Sequence, residues 1–489
     1  MSSTVMPIWV TQRAKLTPER NGLIFKGTSY TFQDIYEEAK KWANLLYQKG
    51  IRNGDHVGIW MNNNAKTVFI IHALQLIGAK TILLNRKLHK EELFWQLDNS
   101  RTTCLIHDGD RAAIDGFSIC EIQVNEHEPT FIDIPDDSFL QDECSMDDVC
   151  SVMYTSGTTG KPKGVLQTYG NHWWSATGSA LNLGLNHDDA WLAAVPLFHI
   201  SGYSILMRSV IYGIPVILYE RFDEAAINQE LINGNATIIS VVTAMLRRLL
   251  DNLDNSTYSP KFRCMLLGGG PAPFPILKEC EEKNIPVFQT YGMTETSSQI
   301  VTLAPEYALT KLGSAGKPLF PCQVKIDLTA EESDQFGSGE ILVKGPNVTS
   351  GYFERPDANE QAFQNGWFRT GDIGYLDPDG FLYVLDRRSD LIISGGENIY
   401  PAEIESVLLS HPSVREAGVV GKDDPTWGQV PVAFVVLSQQ VNEAAIISWL
   451  KEKIASYKVP KQIIAVDYLP RNASNKLLRK ELRNWLHMK

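Results

Sequence analysis

The chain has 489 residues, of which 44% are hydrophobic and 21% charged, and its formal net charge at pH 7 is −12. A chain of this length exceeds one modest core, so two or more domains are expected. The acidic balance argues against a general affinity for nucleic acid or for an anionic membrane. The seven cysteines are scattered, and the N-terminus lacks a basic segment followed by an apolar run. We therefore expect a cytoplasmic protein with reduced thiols, no signal peptide and no stable membrane insertion.

The first 115 residues alternate short apolar runs with helical patterns, which is the rhythm of a layered α/β domain. Two runs around Lys26 and Gly27 predict a hairpin. Thr31 is placed to cap a helix that begins near Phe32, because acidic residues follow in its first turns. Residues 67–85, the most apolar stretch, predict a buried helix followed by a strand.

The middle of the chain predicts strands that are covered on both faces, because its apolar runs show no alternation. The acidic, proline-containing segment 124–148 precedes these runs and predicts a solvated connection. Residues 313–385 contain short segments and many glycines, which favour a β-rich part. A separate unit of about 100 residues begins near 389, and this is a usual domain size. The predicted strands are 149–154, 191–195, 215–219, 237–242, 264–267 and 286–289.

A loop rich in glycine and hydroxyl groups follows the strand at 149. Its glycines let backbone N–H groups converge on an anion, while hydroxyls and lysines add donors and charge. It is not a P-loop, because only two residues separate Gly157 from Gly160 and Pro162 follows the lysine. A mobile surface loop is the alternative interpretation. The residues are Thr155, Ser156, Gly157, Thr158, Thr159, Gly160, Lys161, Pro162, Lys163 and Gly164.

The whole string resembles the phosphate loop of the adenylate-forming enzymes, which include acyl-CoA synthetases, firefly-type luciferases and adenylation domains of peptide synthetases. Five further strings resemble the same pattern in the same order. The resemblance implies an α/β fold with a large N-terminal domain, residues 1–388, made of layered α/β subdomains and a β-rich part at about 313–388. It also implies a small, mobile α+β C-terminal domain, residues 389–489.

The resemblance implies an ATP site along the N-terminal domain. Tyr291 would stack on adenine, and Asp372 would accept hydrogen bonds from the ribose hydroxyls. Thr294 would lie near the α-phosphate, and Glu295 would bind Mg²⁺, which prefers carboxylate and phosphate oxygens. The remaining residues implied for ATP are Gly269, Gly270, Pro271, Gln289, Thr290, Gly292, Met293 and Arg387.

Three further strings carry the parts implied for the C-terminal domain. Ser389 lies at the hinge, and Gly395 and Gly396 line the tunnel for the pantetheine arm of coenzyme A. Lys476 matches the catalytic lysine, although Asn475 replaces the usual glycine, a change that asparagine tolerates because it accepts left-handed backbone angles. A fixed ammonium at Lys476 would bridge the attacking carboxylate and the α-phosphate. Taken alone, a lysine near a chain end is normally just solvated.

Within the superfamily, the strings that border the acyl pocket look most like those of 2-succinylbenzoate–CoA ligases of menaquinone biosynthesis. That acid keeps a second, ionised carboxylate, which needs a partner inside a pocket. Arg208 is the candidate partner, with a surface arginine on an amphipathic helix as the alternative. His199 would close the acyl pocket against the thiol tunnel, or it is a satisfied core histidine. The residues assigned to the acyl pocket are His199, Ser201, Arg208, Gly268, Gly270 and Thr294.

The implied reaction joins a carboxylic acid to ATP as acyl-AMP, with Mg²⁺, and then transfers the acyl group to coenzyme A. A homo-oligomer is left open. The alternatives are another aryl or medium-chain acyl-CoA synthetase, and a stand-alone adenylation enzyme that loads a carrier protein. A non-catalytic nucleotide-binding protein is a third, while a kinase or P-loop ATPase is disfavoured by the loop spacing.

Overall fold

The computed structural model describes residues 4–88, 90–109, 116, 119–124, 137–155, 162–270, 272–328, 337–387, 390–394, 397–424, 427–454, 456–471 and 477–488. In these ranges no helix is long and apolar enough to cross a membrane.

The chain before the phosphate loop alternates strands and helices as predicted. β2 and β3 form the predicted hairpin. Thr31 caps α2 in a reciprocal capping box with Asp34, so this prediction is also confirmed. The elements are β1 Val5–Pro7, α1 Trp9–Leu16, β2 Asn21–Phe25, β3 Thr28–Thr31, α2 Phe32–Gln48, β4 His56–Trp60, α3 Ala65–Ile77, β5 Lys80–Leu83, α4 Lys90–Asn99, β6 Cys104–His107, β7 Cys120–Gln123, β8 Glu143–Ser145 and β9 Val149–Thr155.

The acidic segment 124–148 is in part a strand, which the sequence did not predict. Glu143–Ser145 pairs antiparallel with Val5–Pro7 near the N-terminus. Residues 125–136 lie outside the described ranges. The pairing partner is far away in the chain, so composition alone could not indicate it.

The middle of the chain forms the predicted parallel strands. β12, β11, β13, β14 and β15 are parallel neighbours in that order, which confirms the interpretation of the unalternating apolar runs. The elements are β10 Lys163–Thr168, α5 Tyr169–Leu183, β11 Trp191–Ala193, α6 Ile200–Tyr212, β12 Val216–Leu218, α7 Glu224–Asn233, β13 Ile238–Val242, α8 Thr243–Leu253, β14 Cys264–Gly268, α9 Phe274–Glu282, β15 Val287–Met293 and β16 Ser298–Leu303.

The following segment is rich in strands and is continuous with the parallel sheet. β17 pairs with β16 on one side and with β23 on the other. The elements are β17 Ser314–Pro318, β18 Gln323–Asp327, β19 Gly339–Lys344, β20 Gly351–Tyr352, α10 Pro356–Ala362, β21 Phe363–Gln364, β22 Trp367–Leu376 and β23 Leu382–Arg387.

The C-terminal residues build a small sheet of their own, in the order β25-β24-β27-β26 with β28 beside β27. One apolar cluster contains Ile446 and a second contains Leu482 and Phe434, so the described part has its own core. The elements are β24 Ile392–Ser394, β25 Glu397–Ile399, α11 Pro401–Leu409, β26 Val414–Asp424, β27 Gly428–Leu437, α12 Glu443–Lys451, β28 Gln462–Ala465 and α13 Arg479–Met488.

Two sheets form the layers of the large part. One has the strand order β20-β10-β9-β5-β4-β6-β7, and the other runs β18-β19-β22-β23-β17-β16-β15-β14-β13-β11-β12-β2-β3, with β21 on β22. A single hydrophobic cluster joins strands of both sheets with α2, α3 and α6. The predicted fold class, a large α/β part with a small C-terminal domain, is confirmed.

Candidate active site

A tyrosine and an aspartate from distant strands meet where the nucleotide is predicted to bind. The hydroxyl of Tyr291 donates a hydrogen bond to Oδ2 of Asp372 over 2.7 Å. Asp372 is only 6% exposed, and its backbone is paired with that of Arg387 across β22 and β23. The structure therefore brings together the residues predicted for adenine and for ribose, and the roles themselves stay predictions.

The residue after Tyr291 must be glycine, because the neighbouring backbone leaves no room for a side chain there. A Cβ on Gly292 would lie 1.9 Å from the carbonyl oxygen of Ser298. The hydroxyl of Thr290 donates to the carbonyl oxygen of Val301 over 2.9 Å. These contacts hold the end of β15 against β16. The short turn that begins at Thr294, directly after Met293 at the end of β15, therefore starts from a fixed position.

The glycine string at 268–270 begins at the last residue of β14, at the carboxyl ends of the parallel strands where ligands gather in α/β sheets. Gly269 has φ +86°, a left-handed conformation that favours glycine. Gln289 lies on the neighbouring strand, and its buried Nε2 has no hydrogen-bond partner among the described residues. This amide is a donor available to a ligand at that edge. Pro271 lies outside the described residues.

Glu295, the predicted Mg²⁺ ligand, lies in a short turn that three hydrogen bonds hold in place. Gln167 Nε2 donates to the carbonyl oxygen of Thr294 over 2.8 Å, and the N–H of Thr349 donates to that of Glu295 over 2.7 Å. The Tyr352 hydroxyl donates to Glu295 Oε1 over 3.0 Å. The described residues contain no cluster of three or more metal-binding side chains. A single carboxylate fits Mg²⁺, because nucleotide enzymes hold this ion through one or two carboxylates and the substrate phosphates.

The phosphate loop is described only at its two ends. Thr155 ends β9 and Lys163 begins β10, and the two residues are antiparallel partners. The ammonium of Lys163 lies 4.8 Å from the centroid of the Tyr352 ring. The loop residues Ser156, Gly157, Thr158, Thr159, Gly160 and Lys161 lie outside the described ranges, so the predictions for them stay predictions.

Three of the residues predicted for the acyl pocket lie at or on α6. His199 precedes the helix, and burial lowers its pKa to about 4, so the imidazole is neutral at pH 7. Ser201 is exposed in the first turn, and Arg208 is buried two turns further on. Arg208 lies nine positions after His199, which corresponds to about 13 Å along the helix axis.

Arg208 is a buried cation, so the alternative of a surface arginine is wrong. It is 1% exposed, and no carboxylate of the described residues pairs with it. Its guanidinium lies 5.1 Å from the Trp191 ring, and Nη2 donates a long bond of 3.5 Å to Ser175 Oγ. Its Nε has no hydrogen-bond partner among the described residues. A charge buried in this way normally needs an anion.

Two residues linked to this guanidinium, Ser297 through Ser175 and His172 through its electrostatics, carry buried polar atoms without partners in the described chain. Ser175 Oγ donates to the carbonyl oxygen of Ser297 over 2.6 Å, while Ser297 Oγ is buried without a partner in the described chain. His172 Nδ1 is likewise unpartnered, and burial together with the charge of Arg208 lowers the His172 pKa to about 3. Buried polar atoms of this kind call for a partner, such as ordered water or a polar ligand.

Asn63 joins the two sheets beside His199, and sequence reasoning missed it. Its Nδ2 donates to the carbonyl oxygen of Val195 over 3.0 Å, and its Oδ1 accepts from the N–H of Leu197 over 2.9 Å. This amide holds the segment that leads to His199. The run of three asparagines at 62–64 was the available signal, because asparagine readily bonds to backbone groups at the ends of elements.

The predicted residues of the C-terminal domain lie outside the described part of the chain. They are the hinge residue Ser389, the tunnel residues Gly395 and Gly396, and the catalytic candidate Lys476. Their described neighbours Arg471 and Leu477 pair across an antiparallel bridge. The two ends of the segment that carries Lys476 are therefore close together.

Comparison with known families and proteins covers nearly the whole chain. The AMP-binding enzyme model matches residues 10–353, and the model of the AMP-binding enzyme C-terminal domain matches residues 403–476. The 2-succinylbenzoate–CoA ligase of Geobacillus kaustophilus is 56% identical over 484 residues, 98% of each chain. The protein of the same name from Bacillus cereus is 53% identical over 480 residues, again 98% of each chain.

Solved structures give the same relationship. The o-succinylbenzoate CoA synthetase from Bacillus subtilis in complex with its acyl-adenylate intermediate matches with a TM-score of 0.92 at 50% identity, covering 98% of each chain. Its complex with ATP and magnesium ion matches with a TM-score of 0.91 at 50% identity, covering 98% of this chain and 100% of that one. The resemblance to adenylate-forming enzymes is confirmed, and the chain belongs to the family of AMP-binding enzymes.

Proposed function

We propose that the protein is an ATP-dependent acid–thiol ligase that converts 2-succinylbenzoate to 2-succinylbenzoyl-CoA, AMP and pyrophosphate in menaquinone biosynthesis. The observation that carries the choice of acid is Arg208, a residue predicted for the acyl pocket, which is a buried cation with no acidic partner among the described residues. Relatives at 53–56% identity over nearly the whole chain carry the name of that activity. The ligands named for the B. subtilis structures, ATP, magnesium and the acyl-adenylate, support the first half of the reaction.

In the first half-reaction, the carboxylate of the succinyl arm attacks the α-phosphorus of ATP and pyrophosphate leaves. Tyr291 covers the adenine and Asp372 accepts from the ribose hydroxyls. The phosphate loop from Thr155 to Lys163 donates to the phosphates, and Glu295 would hold Mg²⁺. When bound, this ion neutralises phosphate charge and orients the polyphosphate. The Lys476 ammonium stabilises the charge that develops between carboxylate and α-phosphate.

In the second half-reaction, the thiol of coenzyme A attacks the acyl carbonyl carbon and AMP leaves. We assign Gly395 and Gly396 to the pantetheine tunnel, and Ser389 to the hinge between domains 1–388 and 389–489. Rotation about this hinge presents Lys476 to the active site in the first half-reaction and the glycine loop in the second. A neutral His199 then separates the acyl pocket from the tunnel, since its lowered pKa keeps the imidazole uncharged. Closure also keeps water from the reactive anhydride.

The second carboxylate of the acid pairs with Arg208. The helix distance of about 13 Å between His199 and Arg208 leaves length for a benzoyl-succinyl skeleton between the reacting end and the guanidinium. Arg208 remains charged despite burial, because guanidinium does not deprotonate in proteins. Its Nε, which has no hydrogen-bond partner in the described part of the chain, offers a hydrogen bond to the carboxylate together with Ser297 Oγ.

The proposed setting is the cytoplasm, with ATP, coenzyme A and the acid as small-molecule partners. All seven cysteines are free, as expected in a reducing compartment. The oligomeric state is a separate question that light scattering would answer.

A competition assay tests the proposal. The protein is incubated with ATP, Mg²⁺, coenzyme A and an equimolar mixture of 2-succinylbenzoate, a cinnamate and a medium-chain fatty acid, and the thioesters are identified by mass spectrometry. We expect 2-succinylbenzoyl-CoA with one AMP per thioester. Another dominant thioester would favour a different acyl-CoA synthetase. Acyl-AMP without a CoA product would favour carrier loading, and the absence of pyrophosphate exchange with any acid would favour a non-catalytic nucleotide-binding protein.

A further inference from the structure

Tyr352 lies between two parts of the ATP site that are far apart in the chain. Its hydroxyl donates to Glu295 Oε1 over 3.0 Å. The ammonium of Lys163 lies over the face of its ring, 4.8 Å from the ring centroid. Its side chain is 6% exposed. One tyrosine thus contacts both the predicted Mg²⁺ ligand and the last lysine of the phosphate loop.

The backbone of Tyr352 is held by hydrogen bonds to two different elements, which fixes the point from which its side chain extends. Its N–H donates to Asn359 Oδ1 over 2.7 Å, and Asn359 Nδ2 donates back to its carbonyl oxygen over 3.1 Å. Tyr352 also pairs with Val165 on β10, and the N–H of Phe353 donates to the carbonyl oxygen of Gly164 over 2.8 Å. The tyrosine is therefore attached to the strand that begins with Lys163.

Glu295 and Lys163 are opposite charges that could neutralise each other. Among the described residues, Lys163 forms no ion pair, although the carboxylate of Glu295 contacts the same tyrosine. A direct pair would occupy the carboxylate needed for the metal and the ammonium needed for the phosphates. The hydroxyl fixes the carboxylate at one end of the tyrosine, while the ring face attracts the ammonium through its quadrupole.

We infer that Tyr352 is a positioning residue that aims Glu295 at Mg²⁺ and Lys163 at the ATP phosphates while keeping the two charges apart. The inference rests on the proposed function, because it assumes that these side chains bind Mg²⁺ and ATP. Hydrogen bonds to a ligating carboxylate hold it in the binding orientation, and their loss costs metal affinity. Such a fixed orientation matters most for Mg²⁺, which demands near-ideal octahedral geometry.

The test is Tyr352→Phe, which removes the hydroxyl and keeps the ring under Lys163. Binding of a non-hydrolysable ATP analogue is measured by calorimetry with and without Mg²⁺. We expect the gain in affinity that Mg²⁺ provides to shrink about tenfold, the usual effect of losing such a hydrogen bond. Binding without metal should stay unchanged. In pyrophosphate exchange, the half-saturating Mg²⁺ concentration should rise by a similar factor while the KM for the acid is unchanged.

Tyr219→Phe is the matched control, because the Tyr219 hydroxyl donates to Glu230 Oε1 over 3.1 Å outside the site. In this variant, the gain in affinity for the ATP analogue that Mg²⁺ provides should equal that of the parent protein. Tyr352→Leu removes the ring as well, and should weaken analogue binding even without metal.

Three results would overturn the inference. They are an unchanged metal-dependent gain in Tyr352→Phe, an equal loss with and without metal, or the same loss in Tyr219→Phe. The calorimetric measurement needs no acid substrate. A protein that binds Mg²⁺ and ATP as described but activates no acid would contradict the proposed function and leave this inference standing.

Discussion

Replacing Arg208 by methionine should separate substrate recognition from folding, because its guanidinium has no acidic partner among the described residues. Arg208→Met keeps the apolar stem that packs beside Trp191 and removes a buried charge. Exchanging a buried charge for an apolar side chain of similar volume is often neutral or stabilising. We therefore expect the midpoint of thermal unfolding to stay the same or rise.

The effect on the dicarboxylic substrate should be large and specific. Losing one partner of a buried, hydrogen-bonded charge pair costs about 2–5 kcal/mol, which corresponds to a fall in kcat/KM of about 30-fold to several thousand-fold. An acid with the same succinyl arm but no carboxylate on the ring, 4-oxo-4-phenylbutanoate, lacks the anion that Arg208 binds. The kcat/KM for this acid should change little, so the enzyme should lose most of its preference for the dicarboxylic acid.

The assay is initial-rate AMP release with each acid, for the parent protein, Arg208→Met and the neighbouring control Met207→Leu. Met207 is also buried on α6, and this volume-conserving change should affect both acids equally. The reasoning is refuted if Arg208→Met slows both acids to the same extent, or if it lowers the unfolding midpoint by several degrees while the preference is retained.

Three further predictions concern the nucleotide, the lysine and pH. Asp372→Asn should raise the KM for ATP about 10- to 100-fold by weakening hydrogen bonds to a charged acceptor, and initial-rate kinetics should show no change in the KM for the acid. Lys476→Met should slow pyrophosphate exchange about 10²- to 10³-fold while thioester formation from preformed acyl-AMP persists; equal loss in both would contradict its role. Burial lowers the pKa of His199 and of His72 to about 4, and that of His172 to about 3. The pKa of histidine in the unfolded chain is about 6.5, so on acidification the unfolded state binds protons before the folded state does. Each group should then lower the free energy of unfolding by about 1.4 kcal/mol per pH unit between pH 6.5 and its folded pKa; thermal unfolding from pH 7 to 4.5 measures this, and an unchanged slope in His172→Gln would speak against it.

Several elements were predictable because neighbouring residues decide them. The Thr31 cap depends on an aspartate three positions later, and the hairpin at Lys26 depends on the residues of one turn. The parallel strands of the middle region were visible as unalternating apolar runs. The strand Glu143–Ser145 was missed, because its partner lies at the N-terminus and its own composition is polar.

The contacts within the site were much less predictable. Tyr291 and Asp372 are 81 residues apart and Tyr352 is 57 residues from Glu295, so each pair depends on which strands become neighbours. Family resemblance named Tyr291, Asp372 and Glu295 one by one and assigned no role to Tyr352. A sequence pattern contains no measure of the distance between two such side chains.

The amino-acid sequence by itself supplied the groups from which we predict the chemistry: a loop rich in glycine and hydroxyl groups for phosphates, the carboxylate of Glu295 for Mg²⁺, and the alternation of strands and helices that carries them. The conformational freedom of the backbone, the charge of a side chain and the spacing of apolar residues are properties of a residue and its near neighbours, so the sequence alone reveals them. Only the tertiary structure decided that Arg208 is buried with no carboxylate of the described residues beside it, and that Tyr352 contacts both Glu295 and Lys163. Burial and long-range contact follow from the packing of whole sheets and helices, and no short stretch of residues contains that information.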